Sequence, residues 1–252
     1  MASLLETFDG HQSLTLAQIS RRSQLPPSSA HRILQRLVEL GWVERHGFEY
    51  HLGLRMFELG AQVVRRDGIH QAALPYLHAL HRSTGLTVHL SALVSADVLH
   101  LECVGTQPPA EDSWGLGARQ PAVHSAAGRA LLAQLDHADW PALSFPRSAT
   151  PGGVRDRADL EHNLRVVRDR GGVAVDLGSC SAGVTAVAAS VGPAEGGLRV
   201  ALSLCGPSAA VPVENAVRAV RRTARDIWYA AAGVTRRPPY PLLPLAGAAV
   251  SA

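Results

Sequence analysis

From Gly10 to Val38 the chain carries four arginines (Arg21, Arg22, Arg32, Arg36), two histidines and no carboxylate. Within that run Gln24-Leu25-Pro26-Pro27 separates two amphipathic patterns, because paired prolines forbid one continuous helix. The first pattern, Thr15–Ser23, turns Leu16 and Ile19 inward and offers Thr15 as its cap. The second, about Ser28–Leu40, gathers Ala30, Ile33, Leu34 and Leu37 on one side and Ser28, Ser29, Arg32, Gln35 and Arg36 opposite. Gly41 follows where a C-terminal cap belongs. Trp42–Arg45 and Phe48–Leu52 then read as strands around the tight turn His46-Gly47. Helix, turn, helix and hairpin, preceded by a short helical stub at Ala2–Phe8, predict a winged helix-turn-helix over residues 1–52.

That element sets an electrostatic expectation. Serine hydroxyls at a helix start suit phosphate oxygens, and arginines one turn apart reach a guanine edge or a phosphate. Ser28, Ser29, His31, Arg32 and Arg36 are therefore candidate DNA contacts, with Arg21 and Arg22 on the backbone and Arg45 and His46 following an adjacent groove. For any single arginine a solvated surface is the commoner reading. Four on one small unit, without an acid among them, favour DNA. One such unit covers little duplex, so two-fold pairing on a near-palindromic double-stranded operator is expected.

Leu54–Arg66 reads as a helix with two apolar stripes: Leu54, Phe57, Ala61 and Val64, then Met56, Leu59 and Val63. One stripe can pack on its own domain and the other requires a partner, so residues 53–69 are expected to link the domains and pair subunits. Beyond them the pattern changes. A helix at His70–Thr84 ends at Gly85, and Thr87–Val94 and Val98–Val104 form a hairpin around Ser95-Ala96-Asp97. Thr106–Gln120 reads as irregular and Ser125–Asp136 as a small-residue helix, followed by a proline-containing connection at Trp140–Gly153. Asp156–Arg170 is a charged helix. Strands at Val173–Leu177, Val184–Val191 and Leu198–Cys205 precede a long helix at Pro212–Ala232. Helices around an antiparallel sheet give an α+β sensor-type domain over residues 70–234. Pro238, Pro239, Pro241 and Pro244 predict a disordered tail over 235–252.

Composition narrows the setting. The chain has 252 residues, 46% of them hydrophobic, enough for a sizeable core and more than one domain. All 24 basic residues are arginine, a compositional bias given no functional weight, and the net charge is +3. Three cysteines (Cys103, Cys180, Cys205), far apart and odd in number, fit a reducing cytoplasm rather than a disulfide framework. No apolar run reaches membrane-spanning length and no signal-peptide pattern opens the chain.

The residues carry a family likeness. Leu16-Ala-Gln-Ile-Ser-Arg-Arg-Ser-Gln-Leu-Pro26, Ser28-Ser-Ala-His-Arg-Ile-Leu34, Leu37-Val-Glu-Leu-Gly41 and Tyr50-His-Leu-Gly-Leu-Arg55 closely resemble the IclR-type transcriptional regulators. Further matches follow in order: Gly128-Arg-Ala-Leu-Leu-Ala133, Arg170-Gly-Gly-Val-Ala-Val-Asp176, Gly183-Val184 leading to Ala188-Ala189, and Ala201-Leu-Ser-Leu-Cys-Gly-Pro207. The resemblance covers about residues 3–233. It implies an N-terminal winged helix, a subunit-pairing linker helix and a GAF-like effector domain with a central antiparallel sheet. It also implies homodimers or homotetramers on DNA, no cofactor, and a small effector, an organic acid or aromatic metabolite, held beside the sheet. Carried over by position, the effector residues are Gln120, Ala126, Ala127, Asp176, Ala186, Ser203 and Cys205. Ala186 stands where the family often has cysteine, Cys205 replaces a serine and Gln120 an apolar residue, which weakens the grip on a carboxylate and favours a larger or less polar ligand. Pro27 replaces a family lysine before the recognition helix.

Catalytic and metal-binding patterns are not found in the sequence. Gly178-Ser179-Cys180-Ser181-Ala182-Gly183 resembles a nucleophile elbow, but its glycines do not bracket the serine, so it reads as a loop bordering the pocket. His78 and His81 lack the glutamate of a metalloprotease helix and read as surface residues. The cysteines lack metal-ligand spacing, and Gly115-Leu-Gly117 has no third glycine. Asp176 fits a ligand contact or a buried structural hydrogen bond equally well. An effector-responsive regulator is the leading expectation. A ligand-independent regulator whose second domain only oligomerises is the alternative.

Overall fold

The computed structural model describes residues 2–66, 68–105, 115–146, 150, 153–193 and 198–233. The expected tail at 235–252 lies outside them, as do most of the irregular stretch after Thr106 and parts of the connection before Gly153. The chain divides into two units, Met1–Arg66 and Asp67–Ala252.

In the first unit α1 (Ala2–Leu5) runs into a 3-10 turn at Glu6–Phe8, and β1 (Leu14–Thr15) precedes α2 (Leu16–Ser23). Thr15 caps α2 with a reciprocal pair: its hydroxyl accepts from Gln18 N–H, and the Gln18 side chain accepts from Thr15 N–H. Gln24 ends the helix in the left-handed region, φ 57°, and Ser20 Oγ donates to Leu25 O at 2.6 Å across the turn. α3 (Pro27–Glu39) starts on proline, whose fixed φ suits the first helical position. Gly41, φ 72°, adopts the left-handed geometry that turns the chain out of it. β2 (Val43–His46) and β3 (Glu49–Leu52) follow, and the sheet order is β1-β3-β2. The turn is Gly47-Phe48 rather than His46-Gly47, because His46 pairs with Glu49. Leu4, Phe8, Leu14, Ile19, Ala30, Leu34, Leu37, Val43 and Tyr50 form its core. The unit closes with α4 (Leu54–Arg66), on which Leu54, Phe57 and Val63 are exposed at 67%, 68% and 71%.

The second unit is built on a six-stranded antiparallel sheet. Its strands are β4 (Thr87–Val94), β5 (Asp97–Val104), β6 (Arg119–Pro121), β7 (Val173–Leu177), β8 (Val184–Ser190) and β9 (Val200–Pro207), ordered β6-β5-β4-β9-β8-β7. β6 falls inside the stretch expected to be irregular, and β1 was likewise not foreseen. Two or three residues carry no periodicity, and both strands exist through pairing, with Tyr50 and Glu49 for β1 and Asp97–Leu99 for β6.

The alternation of the strands gives the sheet two unlike faces. Val88, Leu90, Val187, Leu202 and Leu204 pack against Leu77 and Leu80 of α5 (Gly68–Thr84) and Val220 and Ile227 of α8 (Val213–Ala231). Ala174, Ala188 and Ala201 form part of the second core, with Ala130 and Leu131 of α6 (Ala126–Leu132) and Leu160 and Leu164 of α7 (Arg157–Asp169). Small side chains there let α6 lie close. At Gly128 a Cβ would stand 2.2 Å from Ala122 O, so only glycine fits.

Candidate functional site

On α3, Ser28, Arg32 and Arg36 are exposed and Ser29 and His31 half-buried, over the buried Ala30, Leu34 and Leu37. Pro26 provides no side-chain cap to the helix start, which leaves its first amides facing outward for an anion. Arg36 donates to Glu39 at 2.7 Å, both exposed, an ion pair that water weakens and a phosphate can displace. Arg32 makes no ion pair among the described residues. At the end of α2, Arg21 and Arg22 are exposed, and Arg22 reaches the His11 ring at 2.7 Å. In the hairpin the Arg45 guanidinium lies 5.7 Å from the Tyr50 ring centre, while His46 faces Glu44 at 3.4 Å. The residue at the hairpin tip is Phe48, 85% exposed, which the sequence reading passed over by placing the turn one residue early.

The second unit holds a small cavity, of about 20 Å³, on the α6 side of its sheet. It is lined by His89, His100, Gln120, Ser125, Ala126, Ala127, Cys180, Ala186, Ser203 and Cys205. Six of the seven residues expected around an effector thus converge. Strand register explains it: His89 lies opposite Ser203, and Cys205 opposite Ala186. The His89 and His100 rings stack at 4.7 Å, and Ser91 Oγ meets His100 Nδ1 at 2.8 Å. Burial, reinforced by His89, pushes the His100 imidazole down to about 3. Burial likewise pushes the Cys205 thiol up to about 12. Cys180 donates its S–H toward Gln120 Oε1 at 3.7 Å, so the glycine-flanked loop does border the cavity.

Asp176 is the exception. It pairs with Ala186 across the strands, but its carboxylate does not line the cavity. One oxygen takes the Arg129 guanidinium at 2.6 Å, and the other accepts from the backbone N–H of Ser179 and of Cys180, each at 3.1 Å. Of its two sequence readings the geometry supplies the structural one: a buried acid that ties α6 to the loop carrying Cys180. The His81 reading also changes. His78 is exposed, whereas half-buried His81 meets Leu86 O through Nδ1 at 2.8 Å and closes the turn after α5. Among the described residues no group of histidine, cysteine or acidic side chains is placed to hold a metal, and no helix is long and apolar enough to cross a membrane.

Comparison with known proteins matches the IclR helix-turn-helix domain over residues 2–47 and the domain described as "Bacterial transcriptional regulator IclR C-terminal" over residues 61–229. The chain belongs to the IclR family. Among IclR-family relatives it is 31% identical over 207 residues to the HTH-type transcriptional regulator XynR of Escherichia coli, covering 80% of this chain and 82% of that protein. It is 29% identical over 210 residues to BhcR of Paracoccus denitrificans, covering 81% and 75%. An IclR homologue of Microbacterium hydrocarbonoxydans, solved in complex with 4-hydroxybenzoate, superposes with a TM-score of 0.79 at 29% identity, over 92% of this chain and 97% of that one. This chain is accordingly an IclR-family transcriptional regulator, with a helix-turn-helix domain and a C-terminal domain built on an antiparallel sheet.

Two IclR-cavity residues, His89 and His100, escaped the sequence reading. For His89 the signal is the alternation Thr87, His89, Ser91 along a strand whose other residues are aliphatic, and His100 is brought beside it by the pairing of β5 with β4. Polar residues every second position in an interior strand mark a polar pocket on one face.

Proposed function

We propose that this regulator binds a double-stranded operator through the α3 face and that a small molecule in the sheet cavity changes its operator affinity. The observation that carries the reading is the cavity. Histidine, glutamine, serine, cysteine and alanine side chains from β4, β5, β6, β8, β9, α6 and the Cys180 loop surround this small cavity in the second unit. The family member bound to 4-hydroxybenzoate supports the same role for that domain. Ser28, Ser29, His31, Arg32 and Arg36 are assigned to the major groove, Arg21 and Arg22 to phosphates, and Arg45 and His46, with Phe48, to the flanking groove. The exposed Leu54, Phe57 and Val63 of α4 support assembly as a homodimer or homotetramer. The setting is the cytoplasm, where DNA and metabolites meet.

The test is operator retention in the presence of a metabolite panel. Genomic fragments captured by the purified protein define the site, and fluorescence anisotropy on that site is repeated with each compound. A compound that shifts the apparent Kd at least tenfold supports sensing. No shift from any compound, with operator binding intact, favours a regulator whose second domain only oligomerises.

A further inference from the structure

The helical layer on the α5 side of the sheet is short of acid. α5 carries no carboxylate, and α8 carries Arg218, Arg221, Arg222 and Arg225 against Glu214 and Asp226. Helical periodicity puts those four arginines on one stripe, opposite the buried Ala216, Val220, Ala224 and Ile227 that seat α8 on the core. All four are exposed. Asp226 is buried and meets Arg222 and Arg225 only at 3.8 and 3.9 Å, while Arg218 donates to the neutral Asn215 side chain. The Arg221 guanidinium reaches the turn after α7, where a Cβ on Gly171 would stand 3.3 Å from its Nη1. At that turn Asp169 and Arg170 are both exposed and offset one another. Among the described residues neither Arg218 nor Arg221 forms an ion pair with an acid.

A charged helix face is most often a solvated surface, and α7 is that case. There Arg155 pairs with Asp159 at 2.7 Å and Arg157 with Glu161 at 3.2 Å, each four residues on. α8 lacks that balance. A line of uncompensated guanidiniums repels itself unless an anion lies along it. Protein interfaces keep charge to the rim around apolar anchors, whereas surfaces that meet nucleic acid are strongly positive. No aliphatic side chain interrupts the arginine stripe, and Tyr229 stands at its end. Duplex DNA, with a negative charge about every 1.7 Å of its axis, is the polyanion that complements it. Resting on the operator-binding reading above, we propose that the outer face of α8 is a second, sequence-independent DNA contact, with Arg218, Arg221, Arg222 and Arg225 on phosphates that flank the operator.

The test compares two duplexes, the operator core alone and the same core extended on both sides by arbitrary sequence. Anisotropy titrations of the full chain over a range of salt give an affinity and a salt slope for each. The extended duplex should bind at least about tenfold tighter at low salt. Arg218→Gln combined with Arg221→Gln should remove most of that gain and lower the slope on the extended duplex by about 2 per protomer. Core binding and melting temperature should stay as they are. Arg155→Gln combined with Arg157→Gln changes the net charge equally and should leave both slopes alone. An unchanged slope in the α8 variant, an equal loss on core and extended duplexes, or the same loss from the α7-side control would each overturn the proposal while leaving operator binding in place. Unimpaired DNA binding by the α8 variant together with lost regulation in cells would assign the stripe to an acidic protein and overturn it as well. If the wild type retains neither duplex, operator binding fails and the proposal fails with it.

Discussion

Arg129 and Asp176 form a charge pair of 2.6 Å in which the side chains are 3% and 1% exposed. Ser179 Oγ also donates to the Asp176 carboxylate, beside the two loop amides, so every lone pair facing the loop is used. Removing one partner strands the other charge in a nonpolar interior. Asp176→Ala is expected to lower stability by about 3–5 kcal/mol, read by urea denaturation. It should loosen the Cys180 loop, so any loss of effector response in that variant follows from the fold. A change below about 1 kcal/mol would show that water reaches the pair.

The α3 face yields the second prediction. Arg32 is exposed and has no ion-pair partner among the described residues, so Arg32→Ala should leave the melting temperature unchanged. In operator binding it should cost about 1–3 kcal/mol and relax sequence preference, measured by anisotropy across single-base variants of the site. Unchanged binding would mean that another face of α3 meets the DNA.

His100 imposes a pH dependence on folding. Its folded pKa, about 3, lies below the ordinary 6.5 because burial opposes the charged ring. Between those values the unfolded chain binds more protons, so the stability contribution is complete above pH 6.5 and declines as pH falls toward 3. The slope approaches about 1.4 kcal/mol per pH unit. Between pH 6.5 and 5 the wild type should lose about 2 kcal/mol that His100→Asn retains. Parallel denaturation profiles for the two would contradict this.

Cys205 provides a chemical check on the cavity wall. With its thiol held up at about 12 by burial, it has almost no thiolate at pH 8. In the native protein iodoacetamide should modify the half-buried Cys103 and Cys180 first, and Cys205 only on unfolding. Peptide mass spectrometry distinguishes the sites, and rapid native labelling of Cys205 would place it in open solvent.

Assembly through α4 is tested at Phe57. It is 68% exposed beside Leu54 on a 13-residue helix, which is poor placement for an apolar ring unless a second subunit covers it. Phe57→Asp should shift the mass measured by light scattering toward the monomer, and weaken operator binding with it. An unchanged mass would move the subunit interface elsewhere.

Much of this protein was legible along the chain because the deciding interactions are local. Thr15 and Gln18 three residues apart specify a cap, Pro26-Pro27 break the helix pair, and Ala30, Leu34 and Leu37 on one side leave Arg32 and Arg36 on the other. Short valine-containing runs likewise mark β7 and β8. What tertiary structure alone decided depends on register between strands distant in sequence. His89 faces Ser203, and Ser91 faces His100 only because the β4–β5 register shifts between Leu90 and Ser91, where β5 has one extra residue, Leu101. Arg129 meets Asp176 across 47 positions of sequence, which converts a candidate ligand contact into a structural pair. Periodicity determines which face a side chain occupies, but which residue lies opposite is fixed only when the sheet closes, and the cavity's chemistry consists of those oppositions.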